Sequence, residues 1–257
     1  MIYKRVAARL RAQDWVAITI ELGIVVLGVF IGTQVSNWNQ DRADKRAAER
    51  LVGQLAPKFQ LFEELAANDV RYYRTVQAYA KVAQGGFARD PAVSDNNLVI
   101  AAYQATQLNN FNQNKFANGS LINVEEVRKI DDAELRDRIL DLIAVDSSML
   151  DLIGEGSPYR EKVRSVIPTD VQQAIMDRCG DRNATPPAVG PVLPPTCDLK
   201  LDPAIAAKVA AALRAEADLP QMLTSHIAHV TRHINSMIGY GTVFLHNVTA
   251  RITETRR

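Results

Sequence analysis

Cysteine is scarce in this sequence, with two in 257 residues. Cys179 and Cys197 stand at the two ends of one proline-rich stretch. That is not the spacing of paired Cys-x-x-Cys zinc knuckles, and it is too wide for a thioredoxin-like redox centre. An excess of one charge is missing as well. With 30 Lys and Arg against 29 Asp and Glu, the net charge is +1, so the whole chain offers no electrostatic case for a nucleic-acid partner. No G-x-S-x-G, P-loop or dinucleotide glycine fingerprint occurs, so no familiar nucleophile elbow or phosphate cradle is present. No strand-period alternation of any length competes with helix either. What is there is ordinary for a chain that buries a core: 47% hydrophobic and 23% charged residues. Stretches rich in Ala, Leu, Arg, Glu and Asp favour an all-α fold.

One long hydrophobic run is present. Residues 16–33 read VAITIELGIVVLGVFIGT, with Glu21 the one ionisable side chain. Counted from Trp15, the run is about 19 residues, which as a helix rises roughly 28 Å and matches the hydrocarbon thickness of a bilayer. Trp15 and Trp38, the only tryptophans, bracket it as interface anchors. A core helix of this length keeps a polar face, and none exists between Leu22 and Ile31. The reading is a transmembrane helix over residues 15–38. A cleaved signal peptide is the competitor; the start is basic, but no Ala-x-Ala-like site follows in TQVSNWNQ.

Lys4, Arg5, Arg9 and Arg11 precede the run, offset by Asp14. Arg42, Lys45, Arg46 and Arg50 follow it, interleaved with Asp41, Asp44 and Glu49. The Lys/Arg count is close to a tie. A short basic tail nevertheless stays in the cytoplasm while long domains translocate regardless of charge, and a cysteine pair persists in oxidising compartments. The expected organisation is a cytoplasmic tail over 1–14, the span, and an extracytoplasmic helical domain over 39–257 with a Pro-rich loop at 180–202. Ile2, Val6 and Leu10 share one face, so the tail is either a short helix lying on anionic lipid or simply the start of the membrane helix. Within the span, Gly28 and Gly32 form a G-x-x-x-G pair that allows close helix approach. Glu21 stays protonated, reaches the headgroups, or meets a partner's polar group.

The residues Glu21-Leu22-Gly23-Ile24-Val25-Val26-Leu27-Gly28, followed by Gln34-Val35-Ser36-Asn37-Trp38-Asn39-Gln40, resemble an uncharacterised family of bacterial single-span inner-membrane proteins. In that family a glutamate-led span ends in a Gln-Ile-Asn-Asn-Trp-Asn-Glu-like pattern. Ser36 here replaces an asparagine and Gln40 a glutamate. Residues 119–145, GSLINVEEVRKIDDAELRDRILDLIAV, are similar to a later helix-opening segment of the same family. The resemblance implies an inner-membrane anchor with a periplasmic helical domain, and it carries no catalytic residues.

Beyond the span, Leu51, Leu55, Phe59, Phe62, Leu65, Tyr73, Val76 and Ala80 recur at helical spacing. Pro57 is expected to kink that helix or start a new one, and Gly85-Gly86 to end it. A shorter helix is expected over 96–108, and after it an irregular Asn-rich stretch, 109–118, that is the best polar ligand surface. Asp131 and Glu134 have capping-box spacing for a helix carrying Leu135, Ile139, Leu142, Ile143, Met149, Leu150 and Ile153, which stops at Gly154, Gly156 and Pro158. Thr169 or Asp170 caps a short helix ending near Cys179. The loop ATPPAVGPVLPPT is too proline-rich for helix or central strand. A Cys179–Cys197 disulfide would close it, the alternative being two buried thiols. Asp202-Pro203 opens another helix. After Pro220 a long helix carries Leu223, Ile227, Val230, Ile234, Met237, Phe244, Val248 and Ile252. The sum is a membrane helix followed by an antiparallel helical bundle whose first and last long helices pair.

All four histidines fall in the last helix. His226, His229 and His233 project within roughly 60° of one another, and the last two have the i, i+4 spacing that grips zinc. Residues 230–232 are Val, Thr and Arg, without the zincin glutamate, and the face borders the apolar stripe where half-wet histidines are ordinary. No metal and no cofactor is expected. Three functions compete. The first is a non-enzymatic interaction protein, an accessory or scaffold subunit whose partners are the bilayer and another membrane protein or itself. The second is an extracytoplasmic small-molecule binding or sensing module working through a partner, and the third an enzyme or metal protein on the histidine helix.

Overall fold

The computed structural model describes residues 15–109, 124–144, 157–184 and 189–255. Its first element is one uninterrupted helix, α1 (Trp15–Phe87). Pro57 lies inside it and does not start a new helix. The proline sits at an exposed position, so the hydrogen bond it deletes falls on the wet side, where solvent can substitute.

The two halves of α1 live in different surroundings. Ile20, Leu22, Ile24, Val25, Val26, Leu27, Val29, Phe30, Ile31 and Val35 are each at least half exposed. This part is long and apolar enough to cross a membrane, and none of its apolar window is buried in protein. The first buried side chain among the described residues is Ala48. From there Leu51, Leu55, Phe59, Ala66, Tyr73, Val76, Ala80 and Ala83 make a continuous buried stripe, the three-and-four spacing of an amphipathic helix.

Helix α2 (Asp95–Gln104) is capped by Ser94, whose Oγ accepts from Asn97 N at 3.2 Å, and its residues 98–104 are all buried. It lies against α1. It stops short of the expected Leu108 because Thr106 Oγ1 donates to Tyr103 O at 2.7 Å, a side-chain bond that competes with the helical ladder. Short α3 (Val124–Val127) and α4 (Ala133–Ala144) follow. The cap of α4 is Asp132, one residue later than expected: its Oδ1 accepts from Leu135 N at 3.1 Å. Asp131 instead pairs with Lys45 at 3.3 Å and Glu134 with Arg138 at 2.6 Å.

Pro158 opens a helix rather than ending one. It stands in the first turn of α5 (Pro158–Val166), with Ser157 as cap, because a proline's missing N–H costs nothing at that position. Helix α6 (Thr169–Cys179) begins behind Pro168 without a side-chain cap, so neither Thr169 nor Asp170 serves as one. Strands β1 (Arg182–Asn183) and β2 (Pro191–Val192) pair antiparallel, turning near Gly190, whose φ of +87° needs glycine. Cys179 and Cys197 are disulfide-bonded, with Cα atoms 5.5 Å apart. Helix α1 grips the clipped loop in three places: Asn68 Nδ2 donates to Pro191 O (2.7 Å), Tyr72 OH to Asp181 Oδ2 (2.9 Å) and Tyr79 OH to Pro194 O (2.8 Å).

Helix α7 (Pro203–Ala215) opens as expected, Asp202 Oδ1 accepting from Ala204 N and Ile205 N. Helix α8 (Leu219–Met237) then passes through a π-helical turn, Ile238–Leu245, into α9 (His246–Thr255). The turn replaces the single regular helix expected after Pro220. At its centre Gly241 meets Ala66 of α1 so closely that a methyl group on it would collide with the alanine side chain.

The whole C-terminal helical run lies on α1. Gln77 Nε2 donates to Thr231 Oγ1 (2.7 Å), His233 bonds Asp69 (2.6 Å) and His246 bonds Glu63 (2.7 Å). Positions descend along α1 as they ascend along its partner. The expected features at residues 1–14, at Asn110 to Asn118 and at Met149, Leu150, Ile153, Gly154 and Gly156 lie outside the described residues.

Candidate functional site

A buried polar seam runs through the domain where four elements converge on the turn at residues 105–109. From α1 come Asp69 and Tyr73, one helical turn apart. Asp69 is fully buried. Its Oδ2 accepts from His233 Nε2 at 2.6 Å and its Oδ1 from Asn109 Nδ2 at 2.9 Å. Tyr73 OH donates to Asn109 O and accepts from Asn109 N, both at 3.1 Å, while its ring meets His233 edge-on at 4.4 Å. From α5, Arg160 donates to Thr106 O, and Arg164 donates to Thr106 Oγ1 (3.0 Å) and Gln107 Oε1 (3.3 Å). Gln104 Nε2 reaches back to Cys179 O at 2.6 Å, joining the seam to the disulfide.

From α8, His226 Nε2 lies 2.8 Å from Ala105 O and Nδ1 lies 3.0 Å from Ser157 Oγ. The carbonyl accepts only, so Nε2 carries a proton, and in the neutral ring Nδ1 then accepts the serine hydroxyl. The imidazole stacks on Tyr159 at 5.2 Å. Burial holds His226 below the ordinary histidine pKa, opposed by its bond to Ala105 and reinforced by the neighbouring His229 and Arg160 charges. Burial pushes the Asp69 carboxyl up, offset by His233 and Asn109. It likewise raises Asp181, against the bond from Tyr72. Two buried atoms here have no hydrogen-bond partner among the described residues, His233 Nδ1 and Tyr103 OH.

The three candidate histidine ligands are not brought together. His226 and His233 are buried, each bonded to a different element. His229 is exposed and lines a shallow groove of about 360 Å³ with Ser157, Asp218, Met222 and Ser225. Among the described residues no group of three or more His, Cys, Asp or Glu side chains is placed to hold a metal ion. Asn109, the first residue of the expected ligand surface, faces inward and is spent on Asp69. The seam itself escaped sequence reading, yet its signal was there. Asp69 interrupts the stripe Phe62, Leu65, Tyr73, Val76, and His226 and His233 fall on the same stripe as Leu223, Val230 and Met237. A polar residue at an interior helical position needs a buried partner.

At the apolar end of α1 the arrangement is open. Nothing lies within 4 Å of where a side chain on Gly28 or Gly32 would begin. Glu21 is exposed and, seven and eleven residues before them, falls within about 20° of each around the helix. Past the apolar run, the Arg42 guanidinium lies 3.9 Å over the Trp38 ring. Just beyond, Lys129 pairs with Asp44 (2.9 Å) and Arg251 with Asp132 (2.8 Å), which ties the segment around α3 and α4, and the end of α9, to the base of the domain. Trp15 begins α1. No protein-family model matches the chain, and no curated protein or solved structure matches it either.

Proposed function

We propose that the chain is an inner-membrane protein of a bacterium, anchored by the first part of α1, whose periplasmic helical domain works by contact with other proteins, as an accessory or scaffold subunit of a membrane complex. One observation carries the reading. The apolar end of α1 is bare on every side, while the same helix from Ala48 onward sits in a closed core. A water-soluble fold does not leave so long an apolar surface uncovered, and a core helix would be covered by protein. The disulfide supports an oxidising compartment for the domain, and the basic residues before the span support a cytoplasmic tail. The descending and ascending bonds between α1 and the C-terminal helices support an antiparallel bundle. The resemblance over residues 21–28 and 34–40 supports the bacterial inner membrane.

The anchor also offers the contact. Gly28, Gly32 and Glu21 share one open face, where a second helix can approach closely and a buried carboxyl gains a polar partner. In isolated membranes the chain is expected to resist alkaline carbonate extraction, and in spheroplasts its domain is expected to be digested by added protease. Recovery in the carbonate supernatant, or protection from protease, overturns the placement. Gly32→Ile is expected to reduce crosslinking of the chain to its neighbours within intact membranes several-fold; unchanged crosslinking removes the glycine face as the contact.

A further inference from the structure

Ser157 has two tasks. Its Oγ accepts from Arg160 N at 3.5 Å, capping α5, and lies 3.0 Å from His226 Nδ1, to which its hydroxyl donates when the ring is neutral. His226 in turn donates from Nε2 to Ala105 O. The chain Arg160 N–H, Ser157, His226, Ala105 thus joins the start of α5, the middle of α8 and the end of α2 through one neutral imidazole. A proton added at Nδ1 reverses one link. The nitrogen that accepted the serine hydroxyl becomes a donor, and the hydroxyl must find another acceptor in a buried place.

The surrounding charges do not favour such a proton. From α5, Tyr159 stacks on the ring and Arg160 lies close by, its guanidinium turned to Thr106 O. From the end of α2 the Ala105 carbonyl faces it. On α8 itself the neighbour is His229. Asp218, before α8, lines the adjoining groove. On α1 the nearest carboxylate of the seam, Asp69, is held by His233 two turns along.

We infer that His226 is an acid-sensitive latch, whose protonation frees the first turn of α5 from α8 and loosens the 105–109 turn that Arg160 and Arg164 hold. The sign follows from the direction of the shift. A histidine kept neutral by the fold contributes its full stabilisation above the ordinary value of about 6.5, and that contribution falls as pH drops below it. Asp69 and Asp181, whose carboxyls burial raises, act in the opposite sense, gaining stability as the pH falls, so they do not produce this response. Placed in the periplasm, as proposed above, the latch would answer to the external medium; the chemistry of the latch does not depend on that placement.

Hydrogen–deuterium exchange of the full chain in detergent, at pH 7.5 and 5.5 and corrected for intrinsic rates, tests the latch directly. Peptides covering 98–109 and 157–166 are expected to exchange several-fold faster at pH 5.5, up to the tenfold limit that one pH unit sets for one proton, while α1 peptides over 70–85 stay within twofold. His226→Gln is expected to abolish the difference. Ser157→Ala, which removes the hydroxyl without touching the ring, is expected to raise exchange already at pH 7.5 and to shrink the acid response by more than half. Equal exchange at the two pH values overturns the latch, as does an acid response that survives in His226→Gln. If His226→Gln does not fold, an undiminished response in Ser157→Ala overturns it instead.

Discussion

Asp69→Ala is expected to destabilise the domain by about 3–5 kcal/mol, the usual consequence of removing one member of a buried ionisable pair. The carboxylate has no exposed surface and accepts from both His233 and Asn109. Its loss strands two donors in a seam where His233 Nδ1 already lacks a partner among the described residues. Thermal unfolding of the full chain in detergent, followed by far-ultraviolet circular dichroism, should show the midpoint falling by roughly 10 °C or more. Signal from the part of α1 within the micelle should persist above it. Asp69→Asn keeps the volume and one acceptor and should cost clearly less. A double Asp69→Leu/His233→Leu variant should recover part of the loss, because two apolar groups leave nothing unsatisfied. A midpoint unmoved within 2 °C in Asp69→Ala would mean that the pair bears little of the fold's stability.

Reduction of the Cys179–Cys197 bond, or its removal by Cys179→Ser with Cys197→Ser, is expected to cost about 3 kcal/mol, since the closed segment is short and its closure entropy correspondingly moderate. The neighbouring Arg178–Asp198 pair, bidentate at 2.9 and 2.7 Å, will not hold the loop in its place: both partners are largely exposed, and such pairs contribute about 1 kcal/mol or less. Asn68, Tyr72 and Tyr79 should then release the loop. Faster amide exchange over 189–199, with the core of α1 unchanged, is the expected first sign. Identical denaturation curves with and without reductant would show the bond to be dispensable.

The parts of this fold that reading the residues recovers are those written locally. Asp202-Pro203 opens α7 because an Asx cap and a first-turn proline need nothing beyond three neighbouring residues. The buried stripe on α1 and the bare run before it are likewise matters of spacing and composition. The errors have a common physical source in distant contacts. Asp132 rather than Asp131 caps α4, and it also receives Arg251 from 119 residues away, while Asp131 is drawn off by Lys45. The π-helical turn comes with the contact between Gly241 and Ala66, which no periodicity announces. The seam joins Asp69 to His233 across 164 positions, and neither residue's neighbours in sequence name the other as its partner.

The continuity of α1 through Pro57 has a mechanical consequence. Roughly 73 Å of helix lies between Trp38 and Phe87 at 1.5 Å per residue, with no interruption between them. With its apolar end in lipid, as proposed above, such a helix would act as a lever. A tilt of about 10° at the bilayer would sweep the far end through roughly 13 Å, carrying the packed domain with it. Thinning of the membrane, or a neighbour leaning on the glycine face, would therefore be felt as a displacement of the whole domain and not as a change inside it.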